Sequence, residues 1–199
     1  MPERAWDHLH VGLQEWAVIC AGLADGSVDA IVRKGGIHEP RGGTFTIQQP
    51  RFLLLPTWLH QDPDRLLPAW RQRFADLPPA PDPERITISL WAAVAATWKV
   101  EDPARLEALT TILPWTEAEL RRRYRYRNQP WLAVVALRVY RLPTPVEIPF
   151  LASYRGCRSW IPLEEPVTIT DSTPVHDSAT WAARLATLER VAGPGEPAR

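Results

Sequence analysis

Apolar residues recur every three or four positions over Ala5–Ala24, a spacing that matches one face of a helix. The repeat includes Trp6, Leu13 and Cys20. Cys20 on this stripe is typical of a small packed hydrophobe rather than of a nucleophile. We therefore expect an N-terminal helix over 5–24, followed by a turn.

Three short segments after this helix have the pattern of strands. Val28–Arg33 is rich in β-branched residues, Thr44–Gln48 alternates between apolar and polar positions, and Arg51–Leu55 is largely apolar. The connections are too short for helical crossovers, so we expect antiparallel pairing among the three. If the first and third strands neighbour one another and run parallel, the loops that follow them open at the same end of the sheet.

The remainder of the chain alternates between helical and extended patterns. Asp62-Pro63 predicts the start of a helix that runs to about Phe74, with Pro68 as an interruption. Residues 76–84 form a proline-rich connector. Further strands are predicted over 86–100, 131–142, 146–150, 159–163 and 167–170, and further helices over 103–110, 117–126 and 178–191.

This order of elements is typical of an α+β fold. Clustered strands with short links predict a mostly antiparallel sheet, either strongly curved or closed into a small barrel, that is flanked by helices. Residues 1–192 fit one domain, with the connector 76–84 as a candidate sub-boundary. Residues 193–199 are expected to form a disordered tail.

Composition narrows the classes of function. Lys and Arg together number 23, as do Asp and Glu, so the formal net charge is zero and any binding to nucleic acid needs a local basic patch. The two cysteines lack metal-ligand spacing and are too few for a disulfide framework, which favours a reduced, cytoplasmic protein. No apolar run approaches the roughly 18 residues of a membrane span, so we expect no membrane partner.

Two basic segments supply candidate anion-binding residues. Arg33 and Lys34 end a predicted strand, and Gly35 and Gly36 follow it. The two cations can bind phosphate, and the backbone N–H groups of the glycines can donate further hydrogen bonds to it. The run 121–127 interleaves arginines, which meet phosphates, with tyrosines, which stack on bases. From this run and the strand after it, the candidates are Arg121, Arg122, Arg125, Tyr126 and Arg138. The alternative for these segments is a solvated turn and a solvated helix.

Two loops carry residues suited to acid–base or metal chemistry. His38 and Glu39 follow the first predicted strand, and His60 and Asp62 follow the third. Such a cluster can bind a divalent metal or perform acid–base catalysis. No two of these residues stand at a spacing that is diagnostic of a metal site. A metal-assisted hydrolase or phosphodiesterase is therefore one hypothesis, with a divalent metal as its candidate cofactor.

The element order also matches an α-β-β-β-α-β nuclease core, which needs an acidic residue on the second strand and Glu-x-Lys on the third. Thr44–Leu55 contains no acidic residue, so the match of order carries little weight. Three hypotheses remain open: a module that binds nucleic acid or another phosphate-containing ligand, the metal-assisted hydrolase, and a protein-interaction domain.

Several sequence blocks together resemble those of a known protein family. The blocks are Leu13–Val18, Arg33–Glu39 and Phe52–Gln61, with further similarity at Tyr126, Arg138–Tyr140 and Cys157–Trp160. Together they span about residues 10–170 and resemble a family of uncharacterised bacterial proteins, common in cyanobacteria, that is classed as a domain of unknown function. The resemblance implies a single domain of that family and implies no activity.

Overall fold

The structure is a computed structural model that describes residues 7–34, 49–79, 82, 84–154, 159–193 and 196–197. The predicted strand Thr44–Gln48 lies outside these ranges, as do Gly35, Gly36, His38 and Glu39. The helices are α1 (Ala17–Asp25), α2 (Pro68–Ala75), α3 (Arg105–Leu109), α4 (Glu117–Tyr124) and α5 (Ser178–Ala192). The strands are β1 (His8–Trp16), β2 (Ala30–Arg33), β3 (Arg51–Thr57), β4 (Arg85–Val100), β5 (Leu132–Pro149), β6 (Trp160–Thr168), β7 (Thr173–Pro174) and β8 (Glu196–Pro197).

The strands form one mixed sheet in the order β2-β5-β4-β3-β1-β6, with β7 beside β5 and β8 beside β4. β1 and β3 are parallel, and the other strand pairs of the described chain are antiparallel. The expected α+β class with a mostly antiparallel sheet is therefore confirmed. The small-barrel alternative is wrong, because the described strands form an open sheet with β2 and β6 at its two ends. Strong curvature of the sheet stays a prediction.

The N-terminal segment corrects the expected helix over 5–24. Its first part, His8–Trp16, is a strand between β3 and β6, and only Ala17–Asp25 is helical. Leu9 and Leu13 have the four-residue spacing of a helix face, but sheet pairing on both sides of the segment makes it a strand. Gly12 lies against Leu55 of β3, where an added Cβ would clash with the leucine side chain.

The expected antiparallel pairing of the early strands is wrong for the two that the structure describes. β2 pairs with β5, whereas β3 lies between β4 and β1. Because β5 and β4 separate β2 from β3 and each step reverses direction, β2 and β3 run in opposite senses. The two strands are therefore not neighbours, and the expected common opening of their loops does not arise from strand pairing.

Several prolines lie inside strands or at the start of a helix rather than between elements, which changes the predicted boundaries. The predicted strand 146–150 continues β5 as far as Pro149, and the segments 159–163 and 167–170 join in β6. The predicted helix after Asp62 divides into a 3₁₀ turn over Pro63–Arg65 and α2, which begins at Pro68. Pro68 occupies the first helical position, where its missing N–H leaves no bond unmade.

The two faces of β3 belong to different hydrophobic clusters. Phe52 and Leu54 pack in the larger cluster, which includes buried residues of α1, α3, α4 and α5. Leu53 and Leu55 pack in the second cluster, with Ile161 of β6. β3 is thus a central strand buried on both sides, which accounts for its continuous apolar sequence.

Two further segments bear on the expected domain limits. β3 pairs with β4 across the connector 76–84, so a sheet ladder joins the chain on either side of it. Within the predicted tail, Glu196–Pro197 forms β8 beside β4, and residues 194–195 and 198–199 lie outside the described ranges.

Candidate anion-binding site

A cavity of about 200 Å³ lies where the end of β2 meets α4. Its lining residues are Val32, Arg33, Lys34, Arg122, Arg123 and Tyr126. Val32 and Arg33 belong to β2, and Lys34 follows it directly. Arg122 and Arg123 belong to α4, and Tyr126 lies in the 3₁₀ turn after α4. Four of the six residues are cationic. The structure thus brings together Arg33, Lys34, Arg122 and Tyr126 of the predicted anion-binding set.

The Arg33 guanidinium is held by a buried carboxylate. Its Nη2 donates to Glu15 Oε2 over 2.9 Å and to the backbone oxygen of Gln14 over 3.1 Å. Glu15 Oε1 in turn accepts the N–H of Trp16. The side chains of Arg33 and Glu15 are only 14% and 7% exposed. This contact fixes Arg33 against the end of β1, although three strands separate β2 from β1 in the sheet order.

Glu119 organises the two arginines of α4. Its carboxylate accepts from Arg122 Nε and Nη2 at 2.6 and 2.8 Å, and from Arg123 Nε at 2.7 Å. Burial acts to raise the pKa of Glu119, but the hydrogen bonds from both arginines outweigh it and hold this pKa below its ordinary value. One ionised carboxylate therefore binds two guanidinium groups.

Arg123 and Arg122 differ in their surroundings. The guanidinium carbon of Arg123 lies 3.9 Å from the ring centroid of Trp115, and burial lowers the pKa of Arg123. Arg122 is on the open side with 54% of its side chain exposed, and its hydrogen bonds to Glu119 raise its pKa. The negative charge of Asp62 acts in the same direction on Arg122. Both arginines are cations at neutral pH.

Lys34 lines the cavity, but its ammonium group is bonded to backbone oxygens. Nζ donates to the carbonyl of Tyr124 over 2.8 Å and also to the carbonyls of Gln129 and Trp131. It lies 4.6 Å from the ring centroid of Trp131. These contacts use the three donors of an ammonium group. Lys34 therefore fastens the connection from α4 to β5 and contributes charge, rather than hydrogen bonds, to the cavity.

Within the described part of the chain, the cations of the cavity lining outnumber the carboxylates bonded to them. The four cations exceed Glu15 and Glu119 by two, which gives the lining and these two partners a net charge of plus two. Tyr126 adds an aromatic ring that is 51% exposed. A concave site with fixed guanidinium groups and excess positive charge is suited to an anion.

The other predicted basic residues lie away from this cavity lining. Arg121 pairs with Glu117 one turn earlier on α4, and Arg125 is the exposed C-cap of the same helix. Arg138 lies on β5 opposite Ala93, with its buried Nε lacking a hydrogen-bond partner in the described part of the chain.

Two residues of the predicted catalytic cluster, His60 and Asp62, lie in the described part of the chain. Asp62 accepts from the N–H of Asp64 and from Arg65 Nε, and so caps the 3₁₀ turn. His60 is exposed and has a φ of 60°, and the adjacent Gln61 accepts the N–H of Val18 at the start of α1. Among the described residues, no group of three or more His, Cys, Asp or Glu could hold a metal ion. His38 and Glu39 lie outside those residues, so the metal hypothesis stays a prediction.

Three charged residues of this site, Arg123, Glu119 and Glu15, are not among the predicted binding residues. Arg123 belongs to the basic run, and Glu119 stands three and four positions before Arg122 and Arg123, which is the spacing of ion pairs on one helix. That spacing was a usable signal. Glu15 and Arg33 are 18 residues apart, and nothing local in the sequence indicates their contact.

The fold and this cavity define an α+β domain with an arginine-rich, anion-suited pocket. The sequence profile of the family described as Domain of unknown function (DUF1802) matches residues 12–187, so the chain belongs to that family. No curated protein and no solved structure matches the chain. None of the helices in the described ranges is both long and apolar enough to cross a membrane.

Proposed function

We propose that this domain binds a phosphate-bearing ligand of the nucleic-acid class through the arginine-rich cavity. The observation that carries the proposal is the net charge of plus two around a cavity of about 200 Å³, with the half-exposed ring of Tyr126 among its lining residues. Guanidinium groups match phosphate oxygens in two-point fashion, and an exposed tyrosine can stack on a base.

The fixed geometry of the cations supports this function. Glu15 holds Arg33, while Glu119 and Trp115 hold Arg123, so neither guanidinium has to be ordered when a ligand arrives. Pre-ordered groups lose less conformational entropy on binding. Because the whole chain has no net charge, attraction for phosphate requires a local surplus of cations, such as the one at this cavity.

We also propose that the protein works in a reduced, cytoplasmic compartment. The free thiol of Cys20 is buried, which suits a protein that does not depend on disulfides. We propose in addition that the sheet is strongly curved, because a bent sheet would carry the end of β2 toward the end of β1.

Fluorescence anisotropy with labelled single-stranded RNA, single-stranded DNA and duplex DNA tests the binding function. We expect single strands to bind at about 50 mM salt and to lose about tenfold in affinity by about 200 mM, as two or three phosphate contacts require. Arg122→Gln should weaken binding about tenfold or more, because it removes a charged hydrogen-bond donor.

Arg190→Gln is the matched control, because it removes the same charge from an exposed position on α5. It should leave affinity within about twofold, the effect of a distant surface charge. Absence of binding to all three nucleic acids at low salt would exclude a strand as the ligand, and absence of binding to a free nucleotide as well would overturn the proposed function. Equal effects of the two substitutions would show that the cavity is not the site.

A further inference from the structure

The size of the arginine-rich cavity limits which phosphate it can take. At about 200 Å³ it is smaller than the roughly 300–1,000 Å³ of pockets for drug-sized ligands. That volume accommodates one phosphoryl group and part of a sugar. An internal phosphate of a strand carries a nucleoside on both sides, whereas a terminal phosphate can enter with its chain leaving in one direction.

The charge of the cavity also favours a terminal phosphate over an internal one. The net charge of plus two matches a phosphate monoester, which carries about −1.5 to −2 at pH 7. A diester within a strand carries a single negative charge. A monoester also presents three terminal oxygens as acceptors. Arg33, Arg122 and Arg123 converge on one cavity and can serve more than two of those oxygens.

The open side of the cavity has one aromatic ring and one exposed cation. Arg122 and Tyr126 are about half exposed, whereas the Arg33 side chain is 14% exposed and that of Arg123 is 20% exposed. On the neighbouring surface of α4, Arg121 is paired with Glu117. This arrangement provides one stacking position beside one deep phosphate position, which fits a single terminal nucleotide.

We infer that the cavity is specific for a terminal phosphate monoester, at the end of a single strand or on a free mononucleotide, with the attached base stacked on Tyr126. This inference rests on the proposed function and narrows it to a chemical class of ligand. The less exposed guanidinium groups of Arg33 and Arg123 receive the phosphate, and Arg122 contacts it from the open side.

The test compares three oligonucleotides of one sequence: with a 5′-phosphate, with a 3′-phosphate, and with hydroxyl groups at both ends. The fluorescent label is placed internally, so that both ends stay open. We expect one phosphorylated form to bind at least about tenfold more tightly than the hydroxyl-ended form, because each charge-assisted hydrogen bond contributes strongly to affinity. Arg122→Gln should reduce this preference, and Arg190→Gln should leave it unchanged.

Competition by adenosine monophosphate and by adenosine tests whether a free nucleotide occupies the same site and whether its phosphate is required. Tighter binding of the monophosphate than of the phosphorylated strand would identify the free nucleotide as the source, and weaker binding would identify the strand end. The monophosphate should displace the oligonucleotide, and adenosine should not. Tyr126→Leu should weaken binding of the monophosphate by about fivefold or more, since stacking on a tyrosine is lost. Equal affinity for phosphorylated and hydroxyl-ended strands would overturn this inference and leave the proposed function standing. Failure of every oligonucleotide and of the monophosphate to bind would overturn both.

Discussion

The ammonium nitrogen of Lys34 lies 2.8 Å from the backbone oxygen of Tyr124, the last residue of α4. The same nitrogen bonds the carbonyls of Gln129 and Trp131, so one side chain joins the end of β2 to both ends of the connection between α4 and β5. A lysine that looks from sequence like a ligand-binding cation is therefore a structural cross-link.

Lys34→Met should lower the free energy of unfolding by about 2–4 kcal/mol, because it leaves partly buried carbonyl groups without their donor. Urea denaturation followed by circular dichroism measures the change. Lys99→Met is the control, since Lys99 forms an exposed ion pair with Glu101 and should cost less than about 1 kcal/mol. Equal stability of the Lys34 variant and the native protein would contradict the cross-link.

Glu15→Gln should destabilise the protein by about 3 kcal/mol, because it leaves the buried Arg33 guanidinium without its counter-charge. Glu117→Gln removes the same charge from an exposed pair with Arg121 and should cost less than about 1 kcal/mol. Chemical denaturation of both variants at pH 7 makes the comparison. If the two losses were the same size, the contact between β1 and β2 would not be a stabilising ion pair.

The lowered pKa of Glu119 predicts a pH dependence of stability. Because the folded-state pKa is below the unfolded value of about 4.3, the ion pairs stabilise the fold fully above that value. Their contribution is lost as the pH falls through the lower folded-state pKa. Glu119→Gln should therefore reduce stability at pH 7 and flatten its decline below about pH 5. Denaturation series from pH 7 to pH 3 check both effects, and an unchanged slope in the variant would refute the assignment.

Burial raises the pKa of the Cys20 thiol, and the nearby charge of Glu15 adds to the shift. The thiolate is the reactive form, so Cys20 should not react with a disulfide reagent in the native protein at pH 8. Cys157 lies outside the described residues, so the measurement uses the Cys157→Ser variant. Its single thiol should become reactive only in denaturant. Rapid labelling of the native variant would show that the first turn of α1 opens readily.

Local signals in the sequence predicted the elements whose ends are fixed by nearby groups. Asp62 caps the turn that follows it, and Thr116 accepts the N–H of Glu119 at the start of α4, as the capping pattern indicates. The carboxylate of Glu119, however, binds arginines instead of accepting the backbone N–H of Thr116, which is the second bond of a Thr-x-x-Glu capping box. A single short pattern therefore predicted the helix start and left the role of the carboxylate undetermined.

Contacts between segments that are distant in sequence account for the N-terminal strand and the ion pair that the sequence did not predict. The apolar spacing before Trp16 suits a helix, but β3 on one side and β6 on the other supply backbone partners that only the folded chain provides. The pairing of Arg33 with Glu15 has the same origin. For the site, the basic residues were recognisable by type. Of their counter-charges, Glu119 stands at ion-pair spacing on the same helix, whereas Glu15 depends on the tertiary fold.

The position of β1 between β3 and β6 has a consequence for how the protein is made. β1 comprises residues 8–16, whereas its antiparallel partner comprises residues 160–168. Since synthesis proceeds from the N-terminus, one side of β1 has no partner until most of the chain has left the ribosome. Pairing between such distant segments is intrinsically slow. During translation this strand therefore depends on β3, and on any chaperone present, to keep its unpaired edge from other chains.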